Sequence, residues 1–436
     1  MTRLAALALT GLLASTSPAL ALNAPVARAA IDAQLTKSYP GLDALYRQIH
    51  AHPELAFQEK ATAARLAKEM RALGFEVTEG VATTGLVAIY HNGPGPTVLV
   101  RTELDALPME EKTGLPWASK AIQDWNGKPS PVAHSCGHDI HMAAWVGTAQ
   151  ALVAMKDRWH GTLMFIGQPA EESTGGAKAM VAEGIFSKFG KPDYGFALHV
   201  GGGPTGEVTW RAGATTSNSD SLDILFKGKG GHGSMPATTI DPIMEEARFI
   251  VDVQSVISRE KDPAAFGVIT IGAIQAGSAG NIIPDRALLR GTIRSHEASV
   301  RVKLHDGIKR TANAVAAMAG APAPEVTITP GGQAVINDTA LADRTGAIFR
   351  AAFGQNAQLQ LAPSSASEDY SEFIIAGVPS LFFGIGGYEP AQLKAAAARG
   401  ETLASNHSPQ FAPVAEPAIR TGVEAMTLAV LGVLGR

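Results

Sequence analysis

The sequence predicts a two-domain α/β protein, in which a small α+β domain is inserted into a larger α/β domain. The chain has 436 residues, which is too long for one ordinary hydrophobic core. Strand-like and helix-like apolar segments alternate in both the first and the last part of the chain, which favours a layered domain with a mainly parallel sheet. From residue 216 the order changes to β-α-β-β-α-β, which is the order of a ferredoxin-like split unit.

The first part of the large domain begins with two helical patterns at residues 42–49 and 59–73. Pro53 and Gly74 follow them as ordinary helix terminators. Beyond them, short apolar runs bounded by Gly/Pro turns predict strands, and longer apolar runs predict helices. The strands are expected at residues 86–90, 97–101, 161–167 and 194–200, and the helices at residues 143–155 and 177–183.

The small domain has its own regular pattern. Strands are expected at residues 221–227, 267–276 and 286–294, with a final strand near residue 325, and helices at residues 241–259 and 299–318. From about residue 340 the α/β pattern resumes. We therefore place the small domain at residues 216–324, and the large domain at residues 24–215 and 325–436.

The N-terminus has the pattern of a secretory signal peptide at residues 1–21. Arg3 precedes an apolar run at residues 4–13, and Ala19-Leu20-Ala21 forms a small-x-small cleavage site. An exported protein, periplasmic or secreted, is therefore expected. The run is too short for a comfortable membrane span, so a stable membrane anchor is the weaker interpretation, and a frayed N-terminal helix is a further alternative.

Composition narrows the class of protein. Hydrophobic residues make up 46% and charged residues 17%, which is typical of a globular protein with a large core. The net charge of −4 gives no support for nucleic-acid binding. The single cysteine, Cys136, has no partner for an internal disulfide, so it is either an inert buried thiol or a residue with a chemical role.

The densest group of chemically active side chains lies at residues 134–141. Cys136 and His138 are two positions apart, so on a loop both can point at one ion, and thiolate and imidazole suit zinc and similar divalent metals. Asp139 is placed to orient a ligand. The alternative is a polar loop that caps the helix that follows.

Other candidates follow predicted strands, where open α/β sheets place their active sites. Glu171 and Glu172 are adjacent, so one carboxylate can bind metal while the other acts as a general base, although a solvated acidic turn is the alternative. Asp105 follows a strand and could orient a metal-binding histidine. His199, at a strand end, and His407, in a loop, are each more typical of structural histidines when taken alone.

Together these motifs resemble the amidohydrolase branch of the M20 metallopeptidase family, which includes aminoacylase-like, hippurate-hydrolase-like and auxin-conjugate-hydrolase-like enzymes. The resemblance extends from about residue 45 to the C-terminus, and the order and spacing of the motifs make it specific. The motifs are residues 46–55 (YRQIHAHPEL), 101–108 (RTELDALP), 134–141 (HSCGHDIH), 168–172 (QPAEE), 231–236 (GHGSMP), 281–285 (NIIPD), 291–294 (GTIR), 367–370 (SEDY) and 406–409 (NHSP), with His199 between them.

The resemblance implies a zinc-peptidase-like α/β catalytic domain with an inserted ferredoxin-like lid. It implies one or two divalent ions per subunit, which could be zinc, manganese, nickel or cobalt. The ligands that it implies are Cys136, His138, Glu172, His199 and His407.

The same resemblance assigns roles to the remaining site residues. Glu171 would be the general base and Asp105 would support the ligand geometry. His232, in the lid, would reach the active site of its own chain or of a partner subunit, which makes a homodimer through the lid plausible. Asn281 and Arg294, also in the lid, would grip a free carboxylate of the substrate.

Some positions depart from the usual family pattern, among them Glu103, where an Asp is common, and Ile140, where a Gly is common. Residues 119–132 also form a longer segment than usual. We consider two roles for this segment, a border of the acyl pocket or an inert surface insertion.

The expected activity is hydrolysis of the amide bond of a small molecule, an N-acyl amino acid or similar conjugate with a free carboxylate. A carboxypeptidase or dipeptidase with the same machinery is the nearest alternative, because both substrates present an amide beside a carboxylate. A periplasmic binding protein is less favoured, since a binder needs no general base. A metallophosphoesterase is disfavoured because the sequence has no Gly-rich phosphate loop of the right form.

Overall fold

The structure is a computed structural model that describes residues 22–435. The predicted signal peptide at residues 1–21 lies outside the described residues, so it stays a prediction.

The strands are numbered in chain order and carry most of the site residues. They are β1 (Glu76–Val81), β2 (Gly85–Asn92), β3 (Thr97–Glu103), β4 (Ile122–Trp125), β5 (Lys128–Pro131), β6 (Gly161–Gln168), β7 (Tyr194–Pro204), β8 (Val208–Trp210), β9 (Gly213–Ala214), β10 (Asn218–Lys227), β11 (Gly231–His232), β12 (Gly267–Ala276), β13 (Ile282–Ile283), β14 (Arg286–Ser295), β15 (Glu325–Pro330), β16 (Ile336–Asn337), β17 (Ala357–Leu359) and β18 (Ser380–Tyr388).

The helices, numbered in the same way, cover the sheets. They are α1 (Ala24–Ala51), α2 (Lys60–Ala72), α3 (His138–Ala154), α4 (Gly176–Ala182), α5 (Ile185–Phe189), α6 (Pro242–Asp252), α7 (Ala298–Ala319), α8 (Thr339–Phe353), α9 (Ser371–Ile375), α10 (Pro390–Ala398) and α11 (Ala415–Leu434).

The large domain is built on an eight-stranded sheet in the order β1-β2-β6-β3-β7-β18-β8-β17. The four central strands, β6, β3, β7 and β18, run parallel, whereas β1, β2 and β8 add antiparallel pairings nearer the edges. The predicted mainly parallel sheet is therefore correct for the centre of the sheet. Since parallel strands end together, the carboxyl ends of the central strands form one edge, where side chains from distant parts of the sequence can meet.

The core of the large domain lies on both faces of this sheet. Helices α1, α3 and α11 supply the apolar side chains of the larger cluster, and α4 and α9 contribute to the smaller one. Helix α3 is buried along almost its whole length, which fixes the loop that precedes it. Helix α11 is long and apolar enough to cross a membrane by length and composition, but 78% of that segment is buried inside the protein, as expected for a core helix.

The small domain is a four-stranded antiparallel sheet in the order β12-β14-β10-β15, which packs against α6 and α7 around its own apolar core. The chain order β10-α6-β12-β14-α7-β15 is the predicted β-α-β-β-α-β order, and the predicted fold class is confirmed. The predicted limit at residue 324 is too early. Strand β15 begins at Glu325 and pairs with β10, so this domain extends to Pro330.

Candidate active site

A cavity of about 830 Å³ lies at the carboxyl edge of the central strands, between the two domains. Glu171 and Glu172 directly follow β6, His199 lies within β7, and Cys136 is in the loop before α3. The loop from residue 401 to 414 brings His407 to the same place. These five side chains line the cavity, although they lie up to 271 positions apart in the sequence, from Cys136 to His407.

Two of the histidines are held through Nδ1, so that Nε2 of each ring points at the other candidate ligands. Nδ1 of His138 lies 2.8 Å from the carbonyl oxygen of Asp105 and is placed to donate to it, while its buried Nε2 has no hydrogen-bond partner. Nδ1 of His199 lies 2.9 Å from the carbonyl oxygen of Val200, which leaves Nε2 3.4 Å from Sγ of Cys136. Both rings are therefore fixed in the orientation that a metal ligand requires.

Asp105 supports this geometry through its backbone as well as its side chain. Its carbonyl oxygen orients His138, and its carboxylate accepts a 2.9 Å hydrogen bond from the backbone N–H of Glu172.

Asp139 does not orient a ligand as the sequence suggested. Its carboxylate is instead 2.6 Å from Nδ1 of the buried His50, which ties the start of α3 to α1.

The loop that carries His407 is held against the cysteine loop. The side chain of Asn406 donates to the carbonyl oxygens of Cys136 and Val200, both at 3.0 Å. His407 has a left-handed backbone conformation, with φ of 67°, and its Nε2 lies 3.3 Å from a carboxylate oxygen of Glu172.

The candidate ligand atoms form two overlapping groups. The ligand atoms of Cys136, His138 and His199 all lie within 4.8 Å of one another, and so do those of Cys136, Glu172 and His407. Cys136 belongs to both groups. If the protein holds two divalent ions, Cys136 would therefore be available to both, and thiolate and imidazole ligands suit zinc and similar metals.

The charges of these groups also fit a cation. Burial and the nearby Glu172 raise the pKa of the Cys136 thiol well above its usual range. Burial raises the pKa of Asp105 as well, and burial together with Glu368 raises that of Glu171. Burial lowers the pKa of His199 to about 3, so this imidazole is neutral near pH 7. The site is thus rich in lone pairs and poor in positive charge, which suits divalent ions.

A buried network behind the site was not anticipated from the sequence. Glu103 accepts a 2.9 Å hydrogen bond from Nδ1 of His141, whose Nε2 accepts from the backbone N–H of Val200 at 2.8 Å. Glu103 also pairs with the fully buried Arg101. The network therefore holds the backbone next to His199. The sequence signal was the departure at Glu103, whose longer side chain was noted but given no role.

Arg101 extends this network toward the candidate base. It pairs with Glu368 at 2.7 Å and with Asp369 at 3.3 Å, in the motif at residues 367–370 that the sequence analysis left without a role. Burial and neighbouring carboxylates raise the pKa of Glu368 to about 8 in spite of Arg101. Glu368 in turn raises the pKa of Glu171.

Of the three candidate residues of the small domain, one lines the cavity and two do not. Arg294 lines the cavity, donates to the hydroxyl of Ser219 and has no ion pair with a carboxylate of the described chain. His232 and Asn281 are exposed and are not among the residues that line the cavity. The structure therefore brings Arg294 to the site but leaves the other two outside it.

Residues 119–132 fold as a hairpin of β4 and β5 that packs on the segment around Leu55, with Trp125 against a small apolar cluster. None of these residues lines the cavity. The hypothesis that they border an acyl pocket is therefore not supported, whereas the alternative of a surface insertion fits their position outside the cavity lining.

Known proteins similar to this chain agree with the resemblance seen in the sequence. Residues 99–431 match the model of the peptidase family M20/M25/M40. Thermostable carboxypeptidase 2 of Saccharolobus solfataricus is 35% identical over 78% of this chain and 84% of its own length. The hippurate hydrolase of Campylobacter jejuni is 36% identical over 75% of this chain and 83% of its own length.

Solved structures give the same result. A protein from methicillin-resistant Staphylococcus aureus superposes with a TM-score of 0.81 and 29% identity, covering 93% of this chain and 100% of its own. A Bacillus subtilis protein described as a dinuclear metal-binding peptidase superposes with a TM-score of 0.73 and 28% identity, covering 92% and 99%. The chain therefore belongs to the M20/M25/M40 peptidase family of metal-dependent hydrolases.

Proposed function

We propose that this protein hydrolyses the amide bond of N-acyl amino acids or similar conjugates that carry a free carboxylate. The ligands of its divalent ions would be Cys136, His138, Glu172, His199 and His407. The observation that carries the proposal is the position of Glu171. Its buried carboxylate lies 3.8 Å from the free Nε2 of His138, in the same cavity as the unpaired Arg294.

Bound divalent ions would supply Lewis acidity, which lowers the pKa of a water molecule and polarises an amide carbonyl. Glu171 removes a proton from the attacking water and then delivers it to the leaving amine. Burial and Glu368 raise the pKa of Glu171, which brings it nearer to the pH at which one group can both accept and donate a proton.

Arg294 is suited to the substrate carboxylate because a guanidinium binds a carboxylate through two parallel hydrogen bonds. Burial lowers the pKa of Arg294 although the nearby Asp220 raises it, and the side chain makes no direct ion pair with a carboxylate among residues 22–435. His232 would donate to the developing oxyanion and Asn281 would assist Arg294. Both need either closure of the small domain or a second chain.

A homodimer through the small domain is supported by the surface around His232. Strand β12 is an edge strand of its sheet, and Ile274 on that strand is 56% exposed. Ile282, which pairs with His232, is 51% exposed, and Met235 is 60% exposed. An unpaired strand edge flanked by exposed apolar side chains is a common site of association.

A carboxypeptidase or dipeptidase is the second candidate, favoured by the similarity to the Saccharolobus carboxypeptidase.

The proposal also includes export of the protein, with cleavage of the signal peptide after Ala21. N-terminal sequencing of the mature protein from a periplasmic fraction would test the cleavage, and an uncleaved chain in the cytoplasm would contradict it.

The activity is tested with the purified mature protein. The substrates are N-acetyl- and N-benzoyl-amino acids, dipeptides, and the same compounds with the carboxylate converted to a primary amide. We expect hydrolysis that requires zinc, manganese, nickel or cobalt, stops in a chelator and is much slower without the free carboxylate. Binding of these compounds without turnover, whatever the metal, would contradict the proposal and favour a binding protein.

A further inference from the structure

Glu207 places an unpaired carboxylate in the wall of the active-site cavity. It lies directly before β8 and its side chain is only partly exposed. Among residues 22–435 it has no hydrogen-bond partner and no ion-pair partner for its carboxylate. Burial raises its pKa. A carboxylate withdrawn from water without a partner costs free energy, and a cation beside it recovers that cost.

The strand register puts Glu207 on the same face of the sheet as the ligand His199. His199 pairs with Gly384 of β18, and Gly384 pairs with Thr209 of β8. Two positions further along, the backbone N–H of Gly386 donates to the carbonyl oxygen of Glu207 at 3.2 Å. Residues two apart on a strand share a face, so the side chains of His199 and Glu207 emerge on the same side.

The surface between these two side chains is made mostly of glycines, with Thr209 of β8 beside Gly384. Three glycines line the cavity there: Gly201, Gly384 and Gly386. Two strand spacings and two residue rises separate His199 from Glu207, which is about 12 Å between backbones. A substrate that extends from the metal ligands to Glu207 must therefore span about this distance along the cavity, which both His199 and Glu207 line.

The other acidic groups of this cavity are accounted for within the chain. Glu172 lies beside His407, and Glu368 pairs with Arg101. Glu171 is the proposed base. Glu207 alone among the acidic residues that line the cavity has neither a partner nor a proposed role.

We infer that Glu207 recognises a cationic group of the substrate, an ammonium or a guanidinium, and so selects for positively charged conjugates. This inference rests on the proposed amide hydrolysis and specifies its substrate class. The cation can come from the acyl part or from the amino acid that is released. The recognising chemistry is the same in both cases, and matched substrates distinguish them.

The test compares kcat/KM within three pairs of substrates that differ in one charge. Nα-acetyl-lysine against N-acetyl-2-aminoheptanoic acid places the cation on the released amino acid. 6-Aminohexanoyl-phenylalanine against heptanoyl-phenylalanine places it at the end of the acyl chain, and glycyl-phenylalanine against propionyl-phenylalanine places it next to the amide. In at least one pair we expect the wild type to favour the cation by roughly ten- to a hundredfold, as for a hydrogen bond to a charged group.

Glu207→Gln should abolish that preference, and Glu207→Asp should retain part of it. Glu76→Gln, an exposed position on β1 at the far edge of the same sheet, is the matched control and should retain all of it. No preference in any wild-type pair, or a preference that survives in Glu207→Gln, would overturn the inference.

Failure of the proposed function gives a different result from failure of this inference. If neutral substrates are hydrolysed but charge has no effect, only the role of Glu207 is wrong. If the wild type hydrolyses nothing, the proposed function is wrong, and calorimetric binding of Nα-acetyl-lysine and 6-aminohexanoyl-phenylalanine then decides the role of Glu207. Tighter binding to the wild type than to Glu207→Gln supports it, and equal binding overturns it.

Discussion

The two walls of the cavity are prepared to different degrees. On the wall of the large domain, His138 and His199 are held by hydrogen bonds through one ring nitrogen and present the other to the site. On the wall of the small domain, Arg294 is held by one hydroxyl, and His232 and Asn281 are exposed. The candidate metal ligands are thus held in place within one chain, whereas two of the three candidate residues of the small domain lie outside the cavity lining.

The difference has a physical origin. The wall of the large domain is built on parallel strands and the buried helix α3, which leave the candidate metal ligands little freedom. The other wall belongs to a domain with its own core, so it can move as a unit. If Glu171 is the base and Arg294 the carboxylate clamp, as we propose, their placement on different domains would make closure a condition of catalysis.

The largest effect should follow from removing the residue that both ligand groups share. Cys136→Ser should weaken binding of both ions by more than roughly 100-fold, because even groups that only orient a ligand cost 10- to 100-fold. Metal analysis after gel filtration measures it. Two ions retained at wild-type affinity would show that Cys136 does not bridge.

His232→Ala tests whether the wall of the small domain takes part in catalysis. We expect kcat to fall by about 10²- to 10³-fold, as for the loss of one oxyanion donor, with unchanged metal content. Ser234→Ala, which removes only the neighbour that hydrogen-bonds His232, is the control. A normal kcat in His232→Ala would exclude this residue from the reaction.

Mixing two inactive variants separates the two routes by which His232 can arrive. If it comes from a partner subunit, chains with Glu171→Gln mixed with chains with His232→Ala should regain part of the activity, because some sites then contain both residues. If each small domain closes over its own site, the mixture stays inactive. Recovery at concentrations where the protein is monomeric would contradict the dimer.

Arg294→Ala should raise KM and lower kcat/KM roughly 30- to 10³-fold, because the substrate carboxylate loses its partner. This factor corresponds to a loss of about 2–4 kcal/mol in transition-state stabilisation. Arg294→Lys keeps the charge but loses the two parallel hydrogen bonds, so an intermediate value is expected. The amidated substrate, which has no carboxylate, is the control. An equal loss with that substrate would mean that Arg294 acts on something else.

The smallest effect is expected from Glu103, in the buried network next to the candidate ligand His199. Glu103→Gln should lower metal affinity by about 10- to 100-fold, because it weakens the contact that orients His141 and the backbone beside His199. Glu103→Asp restores the residue common in the family and should lose less. Competition with a chromophoric chelator measures both variants, and an unchanged affinity in Glu103→Gln would show that the network is purely structural.

The sequence predicted the fold because its signals were local. Each element can be recognised from a short stretch of sequence. Examples are the strand before Glu171, the helix that follows Cys136 and the strands and helices of the β-α-β-β-α-β pattern. Long-range pairing is less visible. The limit at residue 324 cut off the final strand of the β-α-β-β-α-β pattern, and the pairing of β15 with β10 places residues 325–330 in the small domain.

The site was predicted in part for the same reason. Residue types and motif order predicted that distant side chains meet, and four of the five candidate ligands line one cavity, including His407, far along the chain. Spacing alone could not reveal that Asp139 pairs with His50, or that Arg101 joins Glu103 to Glu368. Those contacts depend on which buried groups lack other partners. The exposure of His232 likewise depends on the position of a domain, which no motif encodes.

The most direct test of the account measures metal content and hydrolysis of an N-acyl amino acid together, in the wild type and in Glu171→Gln. The account predicts that both proteins bind the same number of divalent ions, while the variant is about 10²- to 10⁴-fold slower, as expected for loss of a general base. A variant that binds the ions and still turns over at the wild-type rate would contradict it, and so would a wild type that works equally well after its ions are removed.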